Sequence, residues 1–318
     1  MGDVREMAQR NKCAEYIIGS QLYGTATPTS DTDFGGFFIA DIEYYYGLNS
    51  VDEVDFSTVS KLENGRNAPD AIDLKLYELR KFVRLAMENN PNIIEQLFIP
   101  QNKMVFCNAA AMKIFTSAHL FPHKGLTQKF IGYAKSQLHK MRVKPENYDE
   151  LSRFKLYFET CLCLPKHRKA FIQDIPNESG IWKEGNQFYA IGDLKFNGKV
   201  KMEDVYNSVV ERLNKAGSRT DIFLKHGYDT KFGMHCIRLL QEGMQLLKTG
   251  RLVFPLENVE TLKSIRAGEW TVEQVVEMSE RLTEELDQVS AKSTLPSGPR
   301  FDEIEKLLVN LVWSWHAS

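Results

Sequence analysis

Two aspartates one residue apart, Asp31-Thr32-Asp33, follow the pair Gly19-Ser20, with Asp31 lying eleven residues beyond Ser20. If Asp31-Thr32-Asp33 opens a strand, its period of two puts both carboxylates on one face. Two carboxylates so placed can share one hard divalent cation or bridge two. Mg²⁺ takes oxygen ligands and keeps waters and substrate phosphates in its shell. Two such ions about 4 Å apart stabilise the attacking and leaving oxygens of a phosphoryl transfer. Gly19 lets backbone approach a polyphosphate closely. Ser20 adds a hydroxyl, and neighbouring N–H groups can form an anion nest. A third acid, Asp73, sits inside the otherwise strand-like run AIDLKLYEL, where a carboxylate is costly without a partner or a metal. On an adjacent strand it would complete a two-metal site.

A second constellation lies in HGYDTKFGMHCIRLLQEGMQLL. Lys231, His235 and Arg238 are spaced i, i+4 and i+7, so they share one helix face. Phe232, Cys236, Leu239, Leu240 and Leu247 make the opposite, core-facing side. Three nitrogen donors on one stripe can hold a triphosphate or a nucleic-acid phosphate. His235 is read as a phosphate donor, because no second metal ligand is spaced near it. Weaker candidates are Lys135, His139 and Arg142 on one helix face, and the basic cluster PKHRK at 165–169, taken as a loop. Trp313 and Trp315 are expected to pack.

These residues need elements to hold them. AEYIIGS reads as a strand, QLYGTATPTSDTD as a loop, FGGFFIAD as a second strand and AIDLKLYEL as a third. A helix follows with Leu79, Phe82, Val83 and Ala86 at helical spacing, and Asn90-Pro91 starts another. Beyond about residue 109 the pattern is mainly helical, with helices over 125–143, 150–164, 201–217 (stopped by Gly217), 229–249 (stopped by Gly250), 271–290 and 301–315. Residues 170–200 alternate and carry turn residues, which predicts a small β element. Strands first and helices later predict an α+β fold. The expected division is a small mixed-sheet catalytic domain over 1–115, then a mainly helical domain over 116–318 with a β-rich insertion near 170–200.

The bulk numbers agree with a globular chain. It has 318 residues, 26% of them charged, and a net charge of −2. A protein that coats duplex nucleic acid is usually more basic, so a nucleic-acid substrate would need a local patch. The five cysteines, Cys13, Cys107, Cys161, Cys163 and Cys236, show no C-x-x-C spacing and are read as reduced thiols of a cytosolic protein. No apolar run approaches the roughly 20 residues of a membrane span, and the first residues lack the apolar stretch of a signal peptide. The expected location is the cytoplasm.

Taken together, the Gly-Ser pair, the spacer, the Asp-x-Asp and the later strand aspartate resemble the nucleotidyltransferase signature of the DNA polymerase beta superfamily. The finer pattern, G-S-x-x-Y-G-T, then S-D-T-D, then DLKLYELRKF and NPNIIEQLF, is similar to nucleotidyltransferases linked to RNA repair in bacteria and their phages. Gly19, Ser20, Tyr23, Gly24, Ser30, Asp31, Asp33, Asp73, Asn90, Pro91 and Glu95 fall on it. The resemblance covers roughly residues 15–100 and resumes near 228–248, where a K-x-x-x-H-x-x-R-L helix recurs. It implies Mg²⁺ or Mn²⁺ in a two-metal site on Asp31, Asp33 and Asp73. It also implies an NTP held by Gly19, Ser20, Tyr23, Ser30, Lys231, His235 and Arg238, and transfer of its nucleoside monophosphate to an RNA 3′ end, as in RNA repair or tRNA end addition. Two alternatives stay open: nucleotidylation of a protein, as in toxin–antitoxin relatives, and a silent nucleotide- or RNA-binding module.

Overall fold

A computed structural model describes residues 4–28, 30–58, 72–141, 145–162, 164–177, 180–185 and 188–317. The chain divides into two compact units, residues 1–138 with 231–318, and residues 139–230. A single cut at 115/116 does not describe this division. The reason is the helix from Thr230 onward, which packs with the sheet-bearing unit through contacts described below, so the helical remainder is not one body.

The larger unit begins with α1 (Val4–Arg10), β1 (Lys12–Ile18), α2 (Gly19–Tyr23), β2 (Asp33–Phe38), α3 (Glu43–Tyr46), β3 (Glu53–Asp55), β4 (Asp73–Glu78), α4 (Leu79–Met87), α5 (Pro91–Ile94), β5 (Met104–Cys107) and α6 (Ala109–Thr116). The five strands form one sheet in the order β3-β4-β2-β1-β5. β2 is parallel to β4 and antiparallel to β1. β1 pairs antiparallel with β5, and β3 with β4. Met7 and Ala8 of α1 pack with Phe38, Val54, Leu74 and Leu76. Elsewhere Phe37 meets Phe82 of α4 at 4.7 Å and Phe115 of α6 at 6.0 Å between ring centroids. Aromatic and branched side chains on alternating strand positions therefore supply much of the core.

α7 (Leu126–Met141) leads toward the smaller unit, which holds α8 (Pro145–Cys161), α9 (Pro165–Lys169), β6 (Lys183–Glu184), β7 (Tyr189–Ile191), β8 (Leu194–Phe196) and α10 (Met202–His226). Its three strands form an antiparallel sheet in sequence order, as the alternation over 170–200 implies. Its core gathers Phe154 and Phe158, Trp182, Ile191, Val205 and Val209. The chain returns to the larger unit with α11 (Thr230–Thr249), α12 (Val259–Ala267), α13 (Val272–Lys292) and α14 (Phe301–His316).

The mixed α+β class, with its mixed sheet and helical C-terminal region, is as read from the sequence. Four readings change. QLYGTATPTSDTD is not all loop, because its first residues complete α2. PKHRK is the helix α9, opened by Pro165 in the first turn, where proline's fixed φ suits a helix start. α10 does not stop at Gly217 but runs on to His226. An interior glycine costs about 1 kcal/mol, less than the buried face that carries Val205, Val209 and Leu213. Trp313 is 71% exposed instead of packed.

Four cysteines, Cys13, Cys107, Cys161 and Cys236, are free, and Cys163 lies outside the described residues. Among the described residues no helix is long and apolar enough to cross a membrane.

Candidate active site

Asp33 is the first residue of β2 and Asp73 the first of β4, and the parallel register sets them directly opposite each other. On its other side Asp33 faces Ile18, the last residue of β1. The chain then turns through Gly19, at φ +66°, where a Cβ would collide with Asp33 Oδ2. Glycine is required there twice over, for the left-handed backbone and for the close approach of backbone to carboxylate. Ser20 follows in α2, half-buried, and its carbonyl accepts hydrogen bonds from Gly24 N–H (3.1 Å) and Thr25 N–H (3.0 Å). The strand ends thus bring the Gly-Ser turn against Asp33.

The Asp33 carboxyl is raised, first by burial, then by Asp73 and Asp31, with Lys231 pulling the other way. Asp31 and Asp73 are exposed, and Asp73 Oδ1 accepts a hydrogen bond from Ser57 Oγ at 2.9 Å. Lys231, exposed near the start of α11, is the cation within electrostatic reach. Among the described residues no three His, Cys, Asp or Glu side chains are already drawn to metal-ligating spacing.

The other predicted residues divide. Ser30 closes its own loop: its Oγ accepts from Thr27 N–H at 2.8 Å and bonds Thr27 Oγ1 at 3.0 Å. Lys231, His235 and Arg238 do share one side of α11, but that side runs from solvent into the core. Arg238 is 4% exposed. Its Nη1 donates to Glu95 Oε2 at 2.8 Å and to Glu242 Oε1 and Oε2 at 2.8 and 2.9 Å. Its guanidinium lies 4.1 Å from the centre of the Tyr23 ring, and Tyr23 Oη donates to Glu95 Oε1 at 2.8 Å. Tyr23 and Arg238, expected at the nucleotide, are instead placed in a buried four-residue network. Two buried acids draw the guanidinium inward, because a buried charge must be paired. Burial raises the carboxyls of Glu95 and Glu242, the latter to about 8, against the pull of Arg238. Arg238 stays charged because Glu242, Tyr23 and Glu95 outweigh its own burial.

His235, between Lys231 and Arg238, is pushed down to about 2, mostly by burial and then by Arg238, Lys231 and Arg266. It is therefore a neutral imidazole, and its buried Nδ1 has no hydrogen-bond partner among the described residues. Lys135 and His139 are exposed, while Arg142 lies outside the described residues.

Sequence reasoning placed Glu95 on a motif without a partner, and it missed Glu242 and Ser57. Glu242 left a usable signal, since it stands four residues after Arg238 on the same helix, the spacing at which opposite charges meet. The NPNIIEQ motif acquires a physical reason here. Asn90 Oδ1 accepts from Asn92 N–H at 3.1 Å and caps the turn. Glu95 then reaches Tyr23 and Arg238, and Gln96 Oε1 accepts from Tyr16 Oη at 2.8 Å. The motif ties α2, β1 and α11 together.

Comparison with known proteins finds three likenesses. An uncharacterized 38.9 kDa protein of Enterobacteria phage T4, from the nrdC-mobD intergenic region, is 26% identical over 303 residues, covering 87% of this chain and 88% of its own. The crystal structure of a nucleotidyltransferase-like protein from Exiguobacterium sibiricum 255-15 is 10% identical, with a TM-score of 0.26, covering 87% of this chain and 69% of that one. The stretch that carries Gly19, Ser20, Asp31, Asp33, Asp73 and Glu95 also has a family match, as the motifs suggested: residues 14–167 match the RNA repair pathway DNA polymerase beta family.

Proposed function

We propose that this protein is a metal-dependent nucleotidyltransferase that moves a nucleoside monophosphate from an NTP to an RNA 3′ end. The observation that carries the reading is the register of Asp33 against Asp73, with Asp31 and Lys231 within electrostatic reach and Gly19 backbone against Asp33. Like charges gathered at strand ends repel unless a cation or a proton joins them. Burial and the neighbouring aspartates raise the Asp33 carboxyl, as expected of a site built to accept positive charge.

The donor set fits Mg²⁺ or Mn²⁺, because every candidate ligand is a carboxylate oxygen, and Gly19 brings backbone close to the Asp33 carboxylate where a side chain would collide with it. Asp31, Asp33 and Asp73 would hold the metal, which supplies charge neutralisation to the phosphates and the attacking oxygen. The acceptor hydroxyl oxygen forms a bond to the α-phosphorus, the bond to the β-phosphate oxygen breaks, and pyrophosphate leaves. Asp73, the more exposed of the facing pair, takes the hydroxyl proton. Gly19 and Ser20 bind the triphosphate through backbone N–H and hydroxyl, and Lys231 balances its charge. Positioning and charge thus carry the chemistry, without a covalent enzyme intermediate. Tyr23 and Arg238 serve by holding α2 in place from beneath.

The test is incubation of the purified protein with each NTP, labelled in its base, with Mg²⁺ or Mn²⁺ and a mixed pool of RNA, DNA and protein. Label on RNA, lost in Asp31→Ala/Asp33→Ala, is the expected result. Label on protein alone would overturn the acceptor assignment, and NTP binding without any transfer would overturn the transferase reading.

A further inference from the structure

The smaller unit carries a cluster of charge that the active-site reading does not use. α9 ends at Lys169, and Phe171 then forms an isolated antiparallel bridge with Lys201. Ile172 N–H donates to Val200 O at 3.0 Å, and Met202 N–H to Ala170 O at 2.9 Å, on either side of that bridge. Hydrogen bonds that flank a bridge in this way leave the bridged residues as the closer kind of pair, with side chains on one face. Phe171 is 38% exposed, and Lys201 is exposed beside it. Lys199 stands two residues earlier, in a turn closed by Val200 N–H to Asn197 O at 3.0 Å. A Cβ at Gly198 in the same turn would lie 3.2 Å from the Tyr189 ring, so a half-buried aromatic borders the lysines. Lys166 lies three residues before Lys169 in α9, on the same side of the helix.

Three other cations of this unit meet acids: Lys155 pairs with Glu159, Lys183 with Glu150 and Arg212 with Asp193. Arg168 is likewise committed to Glu203. Lys166, Lys169, Lys199 and Lys201 are all exposed, and none has an ion-pair partner among the described residues. With Arg168, these four lysines outnumber the acids beside them, Asp174, Glu203 and Asp204, so around two aromatic rings a local positive charge remains that the net charge of −2 conceals.

We infer that this surface binds a single-stranded polynucleotide, with phosphates on the four lysines and bases stacked on Phe171 and Tyr189. An isolated phosphate or a lipid headgroup would use the lysines and leave the rings idle. A duplex would keep its bases stacked away from them, whereas every unpaired base offers a face. The surface rests on the transferase reading only for its purpose, which is to hold the strand whose end is extended.

The test measures binding without NTP or divalent metal, so it does not depend on catalysis. Fluorescence anisotropy is recorded for a labelled single strand of about 20 nucleotides, as RNA and as DNA, and for the matching duplex, over a range of salt. The unaltered protein should bind the single strands. Lys169→Ala/Lys201→Ala should weaken binding by about tenfold or more and lower the slope of log affinity against log salt by about 1.4. Phe171→Ala should weaken binding without changing that slope. Lys155→Ala/Lys183→Ala makes the same change in charge among acid-paired lysines and should bind like the parent. Lys166→Ala/Lys199→Ala replaces the first variant if its circular dichroism departs from the parent's. Absence of single-strand binding, equal loss in the acid-paired control, or preference for the duplex would overturn the inference. Single-strand binding with no nucleotide transfer would leave the surface standing and remove the transferase reading.

Discussion

Asp33 and Asp73 face each other at the first residues of two parallel strands, and Asp73 helps to raise the Asp33 carboxyl. The pair stands at the edge of a well-packed sheet, where the protein tolerates charge it could not hold further in. Asp33→Asn removes that repulsion while keeping shape. Thermal unfolding without metal should therefore show the variant at least as stable as the parent. Nucleotide transfer should fall by about 10²-fold or more, the usual cost of losing a group that stabilises transition-state charge. Added Mn²⁺ should raise the melting temperature of the parent alone, because a ligand stabilises only the state that binds it.

Gly19→Ala should disturb the same place through the backbone. At φ +66° alanine is strained, and its methyl group meets the Asp33 carboxylate. A loss of about 1–3 kcal/mol is expected from the strain, read by urea unfolding, together with loss of nucleotide affinity. Wild-type stability in this variant would mean that the turn relaxes and that the close approach is not enforced.

The two ends of the polar side of α11 should behave differently. Arg238→Ala leaves Glu95 and Glu242 buried without their cation, a change that costs about 3–5 kcal/mol. Tyr23→Phe removes the hydrogen bond to Glu95 alone and should cost about 1–2 kcal/mol. Lys231→Ala, at the exposed end, should leave the unfolding curve nearly unchanged and raise KM for the NTP. Equal effects of Lys231→Ala and Arg238→Ala on stability would contradict this division of labour.

Much of this was legible in the residues, and the limits have physical causes. The strands bearing Asp33 and Asp73 announce themselves because Phe34, Phe37, Phe38, Leu74 and Leu76 make β-like runs around an acid. Their register cannot be read from either run, because pairing is a property of two segments. Arg238 illustrates the same limit. Its spacing from Lys231 and His235 describes a helix face, but whether that face meets water depends on Glu95, which is 143 residues away in the chain. α1 has only Met7 and Ala8 buried, too few apolar positions to set a period. β5 has four residues and is defined by its neighbour β1. PKHRK looked like a loop because its composition is all charge and proline, yet proline at a first turn favours helix.

His235 gives a pH dependence of definite sign. Its folded-state value, about 2, lies below the ordinary histidine value of 6.5. Above 6.5 neither state carries the proton. As pH falls below it, the unfolded chain takes up a proton that the folded chain refuses until about 2. Stability should therefore drop on acidification, by up to about 2 kcal/mol between pH 7 and pH 5 from this residue. Urea unfolding of the parent and of His235→Gln at the two pH values checks this, and the variant should show the smaller drop. A histidine resonance of His235 that titrates near 6.5 would contradict the buried placement.

The most direct measurement of the central claim follows phosphorus. The protein is incubated with RNA and divalent metal, in parallel with NTP labelled at the α-phosphate and at the γ-phosphate, beside Asp33→Asn and Asp73→Asn. Label should appear on RNA from the α-phosphate only, with labelled pyrophosphate released from the γ-phosphate, and neither product should form with the variants. Label on RNA from the γ-phosphate, or transfer that survives loss of either aspartate, would contradict the claim.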